Sequence, residues 1–155
     1  MKIIYLAFLI LLLAACNSTN ENTESNGDSI VFTTKNIPAE RSNVNPQPVK
    51  IYEETVKSFE TTDEFKVGLY ETKQTSTYLI KISYKNLEAV DTLRVPNFGI
   101  EPSVGIIKGE KQPSCIVGFL DKDKQFRESK LVYFEEDKLK VHVLKYYAVY
   151  ADTAK

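Results

Sequence analysis

Tryptophan is absent from this chain, histidine occurs once and cysteine twice. Each scarcity removes a chemistry. With His142 as the sole imidazole and Cys16 and Cys115 as the only thiols, carboxylates would have to supply the rest of a zinc site. Two cysteines make no disulfide framework. A Ser-His-Asp or Cys-His arrangement would have to use His142, yet no Gly-x-Ser-x-Gly is present to mark a nucleophile. Basic excess is lacking too: 20 Lys and Arg stand against 21 Asp and Glu, a net charge of −1. Nothing there neutralises phosphates, so no nucleic-acid partner is expected. The lack of Trp also weighs against a sugar-stacking platform.

Three local patterns fail on inspection. Gly105 to Lys111 has one residue too few between its glycines for a phosphate loop and lacks the Gly-Lys-Ser/Thr ending. Asp121-Lys122-Asp123 opens like a calcium loop, but Phe126 stands where Gly is needed and Val132 where a bidentate Glu is needed. It is expected to be a hairpin turn. The acidic groups Glu53-Glu54, Asp63-Glu64 and Glu135-Glu136-Asp137 carry no signal that pairs two carboxyls across a sugar. No catalytic residue, metal or cofactor is expected.

What is present begins with Met1-Lys2, a positive start, followed by the unbroken apolar run Ile3 to Leu13 and then Ala14-Ala15-Cys16. That is the order of a secretory signal with a small-residue cleavage site. The run is well short of the roughly 20 apolar residues that span a bilayer. Leu13-Ala14-Ala15-Cys16 resembles the lipobox of bacterial lipoproteins. The resemblance implies a signal peptide over residues 1–15, cleavage before Cys16, a diacylglycerol on its sulfur and an acylated amino group. A lipidated Cys16 would be unavailable to zinc. Two or three acyl chains, at about 0.8 kcal/mol per buried CH₂, would anchor the chain stably. In the sorting rule of enteric lipoproteins an Asp after the cysteine retains the protein at the inner membrane. Asn17 in that place implies the outer membrane, with the leaflet left open.

Residues 16–48 are expected to be the lipidated cysteine and a mostly disordered linker. Asn17 to Ser29 has no apolar side chain and no Lys or Arg, so it cannot bury enough surface to offset chain entropy. Ile30-Val31-Phe32 is a brief apolar cluster, and Pro38, Pro46 and Pro48 keep the rest irregular. The compact domain, residues 49–155, is expected to start near Val49, with part of the earlier segment packed on it.

From Ile51 onward the pattern is of strands bounded by polar turns. Ile51 to Phe59 also fits one helical face, but its β-branched residues favour a strand. Tyr78, Ile80, Ile82 and Tyr84 alternate with Leu79, Lys81 and Ser83, the clearest period-two signal in the chain. Phe65, Val67 and Leu69 alternate with Lys66, Gly68 and Tyr70 in the strand before it, and others are expected at Leu87 to Val95, Val104 to Lys108, Cys115 to Leu120, Phe126 to Phe134 and Leu139 to Tyr150. In the fourth of these, Phe126, Val132 and Phe134 are expected to share a face. About eight strands with short connections predict an all-β domain, a single antiparallel β-sandwich or small barrel.

Within that frame Cys115 is expected to be a buried small hydrophobe, and His142 a surface or structural residue. Tyr146, Tyr147 and Tyr150 form a candidate interaction surface, with Tyr146 and Tyr147 on opposite faces if the strand continues. Asp28-Ser29-Ile30, Asp91-Thr92-Leu93 and Asp152-Thr153-Ala154 resemble the Asp-Ser/Thr-aliphatic acceptors of protein O-glycosylation in the Bacteroides group, making Ser29, Thr92 and Thr153 candidate acceptors. The function expected is that of a membrane-anchored lipoprotein whose non-enzymatic β-domain binds a protein or an envelope component. The alternatives are an immunity or inhibitor lipoprotein directed at a toxin or lysozyme-like enzyme, and an envelope hydrolase using His142 or an acid pair.

Overall fold

Alternation of apolar and polar side chains decides which face of each strand is covered. The computed structural model describes residues 37–147, and no helix occurs among them. Eight strands follow in order: β1 (Lys50–Lys57), β2 (Thr62–Glu71), β3 (Thr77–Tyr84), β4 (Leu87–Arg94), β5 (Ser103–Lys108), β6 (Ser114–Leu120), β7 (Phe126–Glu135) and β8 (Lys138–Val143). The stretch that fitted either helix or strand is β1. Within each set of four, every strand pairs antiparallel with the next, giving one sheet β1-β2-β3-β4 and a second, β5-β6-β7-β8, with no pairing between β4 and β5.

The sheets face each other across one core, the sandwich solution rather than a barrel. The first sheet and its exit supply Phe65, Val67, Leu69, Tyr78, Ile80, Ile82, Tyr84, Leu93 and Val95, and the second supplies Val104, Cys115, Val117, Phe119 and Val132. Burial of such a set is the main term holding the fold. Aromatic rings bridge the layers at one end, where Tyr84 meets Phe134 edge-on at 4.8 Å and Phe65 at 5.9 Å. At the other end Phe119 meets Phe98 at 5.7 Å and Tyr147 at 4.8 Å.

Ion pairs rather than ladder bonds fasten the two open corners. Asp91 of β4 takes the Lys130 ammonium of β7 at 2.7 Å, and Glu54 of β1 faces Lys108 of β5 at 3.4 Å. Asp91 and Glu54 lie in the inward rows of edge strands, where a charge discourages pairing with another chain.

One expectation about β7 is overturned. The β6–β7 register shifts between Val117 and Gly118, so that Val117 pairs Lys130 while Gly118 pairs Glu128. Ser129 is the extra residue of a β-bulge, and an extra residue reverses every side chain beyond it. Val132 and Phe134 therefore face the core, whereas Phe126 lies on the outside against Gly105 and Gly118. Gly118 suits the bulge because a Cβ there would stand 2.1 Å from the Arg127 carbonyl oxygen.

Residues 37–49 precede β1 without strand structure of their own, but Arg41 fastens them to the β2–β3 turn. Its guanidinium donates to the carbonyls of Thr72 (2.9 Å), Gln74 (2.7 Å) and Thr75 (2.6 Å), and Glu71 lies 3.4 Å from its Nε. The Tyr78 ring covers it at 4.8 Å. Part of the segment before Val49 thus packs on the domain. It enters at the end of the sandwich that carries the β2–β3 turn.

Candidate interaction surface

The outward row of the second sheet is set by register. Ile107 pairs with Ile116, Ile116 with Leu131 and Leu131 with His142, so one line of side chains crosses all four strands on the solvent side. The neighbouring line is Ser114, Tyr133 and Lys140. Ile116, Leu131, His142, Ser114 and Tyr133, together with Leu144, floor and flank a shallow concavity of about 570 Å³ whose margins carry Glu110, Lys111, Glu128 and Glu135. Ile107 and Leu144 remain exposed. A three-residue apolar row on the solvent face of an antiparallel sheet departs from the usual polar-out alternation.

The first sheet is more mixed: Ile51, Leu79 and Val90 point outward on it, Ile51 and Val90 exposed, but Gly68 and Lys81 stand between those two along their line. Its outer face holds the Lys66–Glu53 ion pair, the Lys81 ammonium 4.5 Å over the Tyr70 ring, and Ser83, Glu88, Thr92 and Arg94 along β3 and β4. The hollow there is smaller, about 330 Å³, and Lys66, Lys81 and Glu88 line it.

His142 and Cys115 stand on opposite faces of the same sheet. His142 is exposed on the outer row, while Cys115 is fully buried in the inward row with Val117 and Phe119. Burial, and then the Glu54 carboxylate, push the thiol up to about 12, which keeps it protonated and unreactive. Tyr52, sharing that corner and donating to Glu54 at 3.0 Å, is likewise pushed up to about 12, chiefly by burial. A Cys–His dyad is therefore not assembled. Among the described residues no group of three or more His, Cys, Asp or Glu side chains could hold a metal ion.

Asp121, the start of the would-be calcium loop, is turned to structure. Its Oδ1 accepts from the backbone N–H groups of Asp123 and Gln125, each at 2.9 Å, and its Oδ2 accepts from Arg127 Nε at 2.7 Å. Those bonds close the β6–β7 turn, as a hairpin requires.

Of the C-terminal tyrosines, Tyr146 is displayed, 90% exposed. Tyr147 turns inward, packing on Phe119 and donating to the Glu128 carbonyl at 3.0 Å, and is partly buried. Tyr150 lies outside the described residues, as do Cys16, Ser29 and Thr153. Thr92 is exposed on edge strand β4, beside an Asp91 whose carboxylate is engaged by Lys130 and by the Thr92 N–H.

Two features of the surface escaped sequence reading. The outer row draws one residue from each strand, and only the register brings them together, although β6 being apolar at both Ile116 and Val117 was a visible trace of it. Arg41 has no periodic signature at all. No protein-family model matches the chain, and no curated protein or solved structure matches it either.

Proposed function

We propose that this chain is a lipid-anchored binding module of the bacterial outer membrane. Cys16 carries the lipid, and the β-domain, without catalysing a reaction, holds a protein or envelope component on the outer face of the β5–β8 sheet. The observation behind this reading is the outward row Ile107–Ile116–Leu131, of which Ile116 and Leu131 line a concavity of about 570 Å³, on a sheet whose core side is already filled. Apolar side chains lined up on a solvent face contribute little to folding and gain most by being covered. The lipobox Leu13-Ala14-Ala15-Cys16 supports the anchor. The mixed outer face of the first sheet lines up no three aliphatic side chains on neighbouring strands.

The test has two parts. Radiolabelled palmitate should appear on the wild-type chain in its native cell and not on Cys16→Ala. The double variant Ile116→Lys/Leu131→Lys should lose its crosslinked partner, with affinity falling at least ~100-fold, while Leu79→Lys on the first sheet keeps it. An unlabelled chain removes the anchor, and unchanged capture by the double variant removes the surface.

A further inference from the structure

The turn between β1 and β2 displays an aromatic ring on a backbone braced to hold it. Ser58 N–H donates to the Thr61 carbonyl at 2.9 Å, Thr61 N–H donates to Ser58 Oγ at 3.2 Å, and the two hydroxyls meet at 2.9 Å. Thr61 Oγ1 donates onward to Asp63 at 2.8 Å, and the strands close beneath at the Lys57–Thr62 pair. Between these fixed points Phe59 is fully exposed, the most exposed of the large apolar side chains among the described residues. The bracing network fixes the turn without using the ring, so the fold itself gives no reason for Phe rather than a polar residue there. A large apolar group on a preset turn is the form of a binding anchor, since little freedom is lost when it is covered.

Its place in the fold narrows what covers it. Strand β2, ten residues long, separates this turn from the β2–β3 turn on which Arg41 seats the incoming chain. At about 3.3 Å per residue the two turns are roughly 33 Å apart. A chain held by lipid at its N-terminus would thus present Phe59 at the end remote from its attachment. The charges beside the ring are mixed, with Lys57 near Glu60, Asp63 and Glu64, so the basic cluster that draws a loop to anionic lipid is lacking. We propose that Phe59 is an anchor residue that inserts into an apolar pocket of a partner protein. The proposal rests on the reading of the domain as a binding module and adds a contact distinct from the β5–β8 face.

The experiment is photo-crosslinking in the native cell, with benzoylphenylalanine placed in the full-length lipidated chain at position 59, at 131 and, as a control on the first sheet, at 81. The expected result is a discrete protein adduct at 59 and none at 81. The captured protein, once purified, should then bind Phe59→Ser at least ~30-fold more weakly than wild type, and Phe59→Trp nearly as well. Phe59→Ser should unfold at the wild-type temperature, so a loss of binding is not a loss of fold. An adduct at 131 but not 59 overturns the anchor and leaves the binding module standing, whereas adducts at none of the three positions bring down both. Equal affinity of Phe59→Ser for the captured protein also overturns the anchor. So does Phe59-dependent sedimentation of the unlipidated chain, starting at Asn17, with phosphatidylethanolamine/phosphatidylglycerol vesicles, which would make the turn a lipid contact instead.

Discussion

The two sheets of this sandwich divide their labour unequally. The first supplies nine of the fourteen buried core residues, counting Val95 just after β4, and turns a mixed face to water, where an ion pair and a cation over a ring lie among the separated apolar side chains of Ile51, Leu79 and Val90. The second supplies five and is apolar on its outside as well, through Ile107, Ile116, Leu131 and the outward Phe126. A sheet needs one apolar face to fold. The second apolar face is therefore information about something other than folding, and it separates what the chain requires to be a domain from what it offers to a partner.

The strongest way to break that division is to exchange loads between the sheets. Phe65 is fully buried and touches both Tyr52 and Tyr84, so Phe65→Ala leaves a cavity and should cost about 3–5 kcal/mol in urea unfolding. Leu131→Ser, on the outer face of the second sheet, should cost less than about 1 kcal/mol. Comparable losses from the two would mean that the outer row is part of the folding core and not a surface held in reserve.

A smaller effect should come from the corner where the sheets are clipped together. Lys130 and Asp91 are 17% and 31% exposed, between the surface and buried regimes. Lys130→Met leaves Asp91 half-shielded without its cation and should destabilise by about 1–2 kcal/mol, less than a fully buried pair would. Lys66→Met removes an ion pair confined to the outer face of the first sheet, with both partners 43% exposed and screened by solvent, and should leave the urea midpoint close to that of wild type. Equal shifts would mean that the corner pair does not couple the layers.

The same contrast explains what could be read from the sequence. Tyr78, Ile80, Ile82 and Tyr84 show their buried face in the bare alternation of the chain, because β3 keeps an unbroken register with both β2 and β4. The eight strands and their short antiparallel connections were equally visible. In the second sheet Ser129 adds one residue to β7 and reverses Phe126, a local choice tied to Gly118 across the ladder that no single-strand pattern contains. Asp91 and Lys130 are 39 residues apart and meet only after both sheets have formed. Arg41 is one charge in a polar, proline-rich stretch, and what makes it structural is three carbonyls supplied by a turn more than thirty residues later. Phe59 was read as the last residue of an apolar strand pattern, but β1 stops at Lys57 and leaves the ring on the turn.

The least of these effects is acid-dependent and again falls on the second sheet. Burial acts to raise the pKa of Asp121, but hydrogen bonds from the Gln125 N–H, the Arg127 guanidinium and the Asp123 N–H outweigh it and hold the carboxyl below the usual aspartate range. A carboxyl depressed in the native state stabilises that state fully above its unfolded value, near 3.9, and the contribution is lost as pH falls through the lower native value. Asp121→Asn should therefore melt below wild type at pH 7, and the gap should narrow as the pH is taken from about 5 to below 3. Hydrogen exchange should show where the acid acts. In wild type near pH 3 the amides around the β6–β7 turn, Asp123 and Gln125 first, should lose protection before those of the β2–β3 hairpin, which Arg41 holds through carbonyls that do not titrate. A gap that stays constant with pH would mean that the carboxylate shapes the turn only as a hydrogen-bond acceptor, and loss at the β2–β3 end first would place the acid-sensitive joint on the first sheet.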